Sequence, residues 1–179
     1  MSDEQNHPAN RRIDRIRDDS YLDGLADLSL DHLRERRDEC LAEREYLSLL
    51  RRLVQGRAEI LTSELQNRGT DDTTPLLERL TGILAGDEPQ SSARGEAVRV
   101  GLPEEEMLLA RRRVERLVAD AAISDPTSLD DGALADAVER LTTEEANVSE
   151  ARGAVIAVLD TLQDELKRRY KDDPTLALR

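Results

Sequence analysis

The residues best suited to chemistry form a stripe. In the stretch SLLRRLVQGRAE, Ser48, Arg51, Gln55 and Glu59 step by three, four and four along what reads as one helix. A second stretch carries Glu145, Ser149, Arg152, Ile156 and Asp160, and the first gives Arg44, Ser48, Arg51, Gln55 and Glu59 at the same offsets. On a helix these offsets fan across roughly 80° of surface and extend about 22 Å along the axis. Arginine offers a planar fork that binds phosphate, or O6 and N7 of guanine, bidentately. A carboxylate accepts guanine N1–H and N2–H together, and serine donates to phosphate or ribose oxygens. Set against this is a plainer reading: Ser, Arg and Glu beside a helix–helix seam make interhelical ion pairs.

Two long helices must position the stripes. The first runs from about Ser29, a suitable N-cap, to Arg68, where Asn67–Arg68–Gly69 is a stop signal. The second follows SDPTSLDD and runs to about Tyr170, with Pro174 closing it. Shifted by 101 positions, the first overlays the second with ten identities between Leu28 and Arg68, among them Ser48/Ser149, Arg51/Arg152, Glu64/Glu165 and Arg68/Arg169. Such self-similarity is the mark of an internal repeat. The same shift aligns an apolar row every seven residues: Leu33, Cys40, Leu47, Val54 and Leu61 with Leu134, Leu141, Val148, Val155 and Leu162. An unbroken heptad row is a coiled-coil signal. The companion row carries Arg44 and Arg51 in one helix, Glu145 and Arg152 in the other, where a seam built for stability alone would carry leucine. Gly56 and Gly153 sit in helix interiors, each at a cost of about 1 kcal/mol against alanine, and close approach of a ligand or helix would account for them.

The expected fold is all-α: two long helices in an antiparallel coiled coil, with shorter helices in the connection. Residues 1–26 read as a flexible N-terminal segment, 27–69 and 128–173 as the motif-bearing helices, 70–127 as a connection with two shorter helices, and 174–179 as a tail. The connecting helices, Pro75–Gly86 and Pro103–Ala122, have apolar faces (Leu76, Leu80, Ile83; Met107, Leu108, Val114, Leu117) that would contact a partner or cap the coil. With 2% aromatics, no Phe or Trp, and 36% charged residues, composition favours long helices over a thick core.

The net charge of −13 opposes direct DNA binding and favours a basic partner, such as a protein that itself grips DNA. The lone Cys40 allows no internal disulfide and fits a buried group in a reducing cytoplasm. The polar N-terminus is no signal peptide, and no stretch is apolar enough to span a membrane. His7 and His32 stand apart from any Cys or His cluster, so no metal site is expected. No nucleophile–base pairing, P-loop or dinucleotide fingerprint occurs, so no catalysis is expected.

The repeated pattern E-x3-S-x2-R-x3-Q-x3-D, once on each long helix, resembles that of the RsiG family, cyclic-di-GMP-dependent anti-sigma factors of sporulating actinobacteria. DLSLDHLRERRDE and LSLLRRLVQGRAEIL are also similar to that family. Residue by residue, Ser48, Arg51 and Gln55 match in the first copy, and Glu59 replaces the final Asp. Glu145, Ser149, Arg152 and Asp160 match in the second. Arg44 stands where the pattern has Glu, and Ile156 where it has Gln. The resemblance implies that these eight residues hold cyclic-di-GMP, two molecules in all. The loaded protein would sequester a sigma factor of the WhiG type from RNA polymerase and so repress late sporulation genes. The alternative is a coiled-coil interaction or scaffold protein without nucleotide, its stripe made of ion pairs.

Overall fold

The computed structural model describes residues 12–68, 102–120 and 126–178, and among these every regular element is helical. Four α-helices are named here in chain order: α1 (Arg12–Ile16), α2 (Leu30–Arg68), α3 (Glu104–Asp120) and α4 (Asp131–Asp172). Short 3-10 turns at Leu25–Asp27 and Pro126–Ser128 lead into the two long helices. The expected helix at Pro75–Gly86 lies outside the described residues. The one expected at Pro103–Ala122 is α3.

The chain divides into two compact units. The first combines residues up to Ser48 with Ser149 onward. The second is Leu49–Val148. In each, α2 and α4 run antiparallel. In the first unit Arg34 donates to the Tyr170 hydroxyl at 3.1 Å and Arg152 to Ser48 at 2.9 Å. In the second Arg51 donates to Glu145 at 2.6 Å and Arg68 to Asp131 at 3.0 Å. The all-α antiparallel pair is therefore as the sequence implies.

The heptad row is the core of both units. Leu33, Cys40, Leu47, Val155 and Leu162 are buried in the first, and Val54, Leu61, Leu134, Leu141 and Val148 in the second. All ten row positions are withdrawn from water, which is the main favourable term in such a fold. Leu159 and Leu166 complete the first core, Leu50 and Ala137 the second. Burial raises the Cys40 thiol to about 11, so it stays protonated and behaves as a small apolar group.

Each long helix begins in the same way. The Ser29 hydroxyl accepts from the His32 amide at 3.2 Å, and Asp130 Oδ1 from the Ala133 amide at 2.8 Å. Ser29 and Asp130 are thus N-caps, as their residue types favour. The turns before them are held by an arginine from the far end of the other long helix. Arg169 donates to the carbonyls of Leu28 (2.6 Å), Leu25 (2.6 Å) and Ala26 (3.2 Å). Arg68 donates to those of Leu129, Pro126 (2.8 Å) and Thr127 (3.3 Å). A glutamate one turn back steers each guanidinium: Glu165 for Arg169 at 2.8 Å and Glu64 for Arg68 at 3.2 Å. Three of the duplicated identities, Leu28/Leu129, Glu64/Glu165 and Arg68/Arg169, are thereby one clamp built twice.

The repeat reaches further toward the N-terminus than Leu28. The same shift of 101 overlays RIDRI (12–16) on RVERL (113–117). In the first unit Arg12 of α1 pairs with buried Glu43 at 2.6 Å. In the second, Arg113 of α3 pairs with Glu144 at 2.7 Å. Glu43 and Glu144 are equivalent positions, so each short helix is tied to its long helix by one duplicated ion pair.

The segment before residue 27 is folded from Arg12 onward, against the expectation of a flexible N-terminus. The cause is specific. Ile16 is fully buried, and Tyr21 donates to Glu39 at 2.9 Å while the Arg36 guanidinium lies 5.2 Å from its ring centroid. α3 caps the second unit through Ala110 and Val114, yet leaves Met107, Leu108 and Leu109 exposed by 37, 41 and 52%. The tail makes one turn, Pro174–Leu178, and the Leu176 carbonyl accepts from Arg34 at 2.9 Å.

Two outcomes follow for stability. Arg169→Ala unsatisfies a set of turn carbonyls and should cost on the order of 1–3 kcal/mol, whereas Arg168→Ala removes pairs made by a guanidinium that is 55% exposed and should cost less, at most about 1 kcal/mol. The Glu165 carboxylate is held down at about 2 by hydrogen bonds from Arg168 and Arg169. A depressed folded-state value contributes stability above the unfolded carboxylate range and loses it as pH falls toward the folded value. Melting temperature should therefore drop between about pH 4.5 and 2, and Glu165→Gln should flatten that limb while lowering the plateau at neutral pH.

Candidate ligand site on the paired helices

The charged companion row decides what the seam exposes. In the second unit it brings Arg51 of α2 to Glu145 of α4, Nε to Oε1, at 2.6 Å. One turn on, the Gln55 amide donates to Glu59 at 3.1 Å. These four residues, with Ala58, Thr62 and Thr142, line an open cleft of about 290 Å³. Four of the eight motif residues thus share one concave surface, with guanidinium, amide and two carboxylates along it.

The remaining motif residues belong to the first unit. Arg152 Nε donates to Ser48 Oγ at 2.9 Å, and that hydroxyl donates back to the Arg44 carbonyl at 2.7 Å. Ser149 lies one turn before Arg152 and is half-buried; Asp160 is exposed two turns beyond it. The structure joins Ser48 to Arg152 and leaves Asp160 apart from both. Arg44 turns to its neighbour Glu45 at 2.7 Å. Ile156 is half-buried where the first copy has Gln55, so an apolar side chain replaces an amide at that position.

Each unit therefore combines parts of both motif copies. The second holds Arg51, Gln55 and Glu59 with Glu145; the first holds Ser149, Arg152 and Asp160 with Ser48. Antiparallel pairing makes this necessary, because the start of one copy meets the middle of the other. Another cleft of about 340 Å³, lined by Leu28, His32, Glu35, Arg36 and Glu39, contains no motif residue.

The family model described as RsiG-like matches residues 19–84 and 120–178, more than half of the chain and both long helices. The chain belongs to the RsiG-like family. That is a family of anti-sigma factors, regulators that act by binding a sigma factor and not by catalysis. No curated protein matches the chain. Among the described residues no helix is long and apolar enough to cross a membrane, and no group of His, Cys, Asp and Glu could hold a metal ion.

The two interior glycines do not serve helix packing. A Cβ built on Gly56 or Gly153 meets nothing within 4 Å, so neither marks a close approach of α2 and α4. Gly153→Ala should raise the melting temperature of the ligand-free protein, by up to about 1 kcal/mol of stability. If a ligand lies against Arg152, the same change should lower ligand affinity; equal affinity in wild type and variant would show that the face beside Gly153 stays empty.

Proposed function

We propose that this family member binds cyclic-di-GMP on its duplicated stripes, one molecule against each unit, and in the loaded state sequesters a sporulation sigma factor of the WhiG type in the cytoplasm. The observation that carries the reading is the cleft of the second unit, where Arg51, Gln55, Glu59 and Glu145 converge. Their chemistry fits a guanine nucleotide: carboxylates for N1–H and N2–H, a guanidinium for O6, N7 or phosphate. In the first unit Ser48, Ser149, Arg152 and Asp160 would do the same work. Release of the ligand would free the sigma factor, and late sporulation genes would be transcribed.

The partner's chemistry agrees with the charge. A sigma factor carries basic DNA-contacting surface, and this chain has a net charge of −13. We place part of that contact on α3, whose exposed Met107, Leu108 and Leu109 follow directly on Glu104, Glu105 and Glu106. An apolar patch beside an acidic turn suits a partner that is basic around an apolar anchor.

A second reading keeps one observation of its own. The Arg51–Glu145 bond already bridges the helices, so the stripe can be read as the ion-paired edge of a scaffold protein. The two readings separate in one experiment. Calorimetric titration with cyclic-di-GMP, with GTP and cyclic-di-AMP as controls, should show selective binding of about two ligands per chain. Arg51→Ala combined with Arg152→Ala should abolish binding and change thermal stability by no more than about 1 kcal/mol, the worth of exposed pairs. A folded protein that takes up no nucleotide, alone or with the sigma factor present, would leave the scaffold reading.

A further inference from the structure

The two units are built alike but charged differently. Arg51 and Glu145 face each other in the second unit. The repeat shift of 101 carries Arg51 to Arg152 and Glu145 to Arg44, so the equivalent positions in the first unit are Arg44 and Arg152. Where one unit has an arginine–glutamate pair, the other has two arginines. The local bonds agree with that placement. Arg152 donates to the Ser48 hydroxyl, and Ser48 donates to the carbonyl of Arg44 itself, so the Arg152 guanidinium sits within a turn of Arg44.

The acids nearby do not restore the balance. Glu43 is occupied by Arg12, and Glu45 pairs with Arg44 from the next position on the same helix while keeping substantial solvent exposure. Among the described residues no carboxylate pairs with Arg152, whose oxygen partner is the neutral hydroxyl of Ser48. Two arginines at these paired positions offer donors only. They take acceptors: phosphate oxygens most strongly, because charge adds to the hydrogen bonds.

Resting on the reading above, we propose that Arg44 and Arg152 form a phosphodiester clamp in the first unit, making it the tighter of two unequal ligand sites, with Arg44 a binding residue where the family pattern has an acid. The second unit is weaker because a phosphate arriving there must displace Glu145 from Arg51. The first has no carboxylate to displace from Arg152, and the Glu45 partner of Arg44 is 36% exposed at its side chain, so water takes over that carboxylate when Arg44 turns to a phosphate.

Calorimetry on the full chain with cyclic-di-GMP tests this in wild type, Arg44→Ala, Arg44→Glu and Arg44→Lys, with far-ultraviolet circular dichroism confirming equal helix content. Wild type should titrate in two phases. The tighter should weaken about tenfold or more in Arg44→Ala, as expected for a lost charge-assisted bond, and further in Arg44→Glu, which can pair with Arg152. Arg44→Lys should fall between. The weaker phase should not move. Equal affinities in wild type and all three variants would overturn the clamp. If wild type binds no cyclic-di-GMP, the functional reading fails instead, and inorganic pyrophosphate decides the clamp by itself: greater thermal stabilisation of wild type than of Arg44→Ala supports it, and equal shifts overturn it.

Discussion

A helix pair whose seam carries leucine in one row and arginine in the next must find acceptors for its guanidiniums. A guanidinium carries five donors and no acceptor, and it does not shed its charge. Arg68 and Arg169 turn to the carbonyls of the 3-10 turns that begin the opposite helix. Arg51 turns to Glu145, Arg152 to Ser48. Arg12 and Arg113 turn from short helices to the equivalent glutamates Glu43 and Glu144. Where these cations find oxygen ties the short helices and the leading turns to the long helices, beside the apolar burial of Ile16, Ala110 and Val114. The apolar row would be equally buried with the arginines elsewhere; the turns would not be held.

The duplicated identities sort by this same logic. Leu33/Leu134, Val54/Val155 and Leu61/Leu162 are repeated because each unit needs its own buried row. Leu28/Leu129, Glu64/Glu165 and Arg68/Arg169 are repeated because each long helix needs its start clamped. Glu43/Glu144 is repeated because each unit carries a short helix with an arginine to receive. Ser48/Ser149 and Arg51/Arg152 belong to the repeated motif itself. Arg152 donates to Ser48 in the first unit and Arg51 to Glu145 in the second. In the proposed reading their repetition follows from a ligand chemistry that both stripes share.

What could be read in the sequence divides along the same line. The long helices, the Ser29 cap and the heptad row are properties of local pattern, and local pattern is visible in one dimension. The grouping of Arg51, Gln55, Glu59 and Glu145 was legible as residue types on a face, once antiparallel pairing was assumed. Three things were not. The fold of residues 12–27 depends on Arg12 and Tyr21 meeting groups on α2, a tertiary fact; its one sequence signal was the match of RIDRI to RVERL, too short to weigh before its structural role was seen. The role of Arg68 and Arg169 lies in carbonyls, which no side-chain pattern encodes. The glycines 56 and 153 invited a packing explanation that open space beside them contradicts.

The proposed ligand gating carries a constraint of its own. A ligand shifts an equilibrium only by its differential affinity for two states, so what it replaces in the empty state must be weak. The Arg51–Glu145 pair is 44 and 26% exposed at its side chains, within the range where an ion pair contributes at most about 1 kcal/mol. The Arg12–Glu43 pair, with Glu43 only 6% exposed at its side chain, is of a different kind, because opening it would strand a charge away from water. The arginine–acid pairs thus differ in depth at the acid: Glu43 and Glu144, which receive the short helices, are 6 and 16% exposed at their side chains, and Glu145 in the motif cleft is 26% exposed. The most exposed of the three is the pair that, in the proposed reading, exchanges for the oxygens of an incoming ligand.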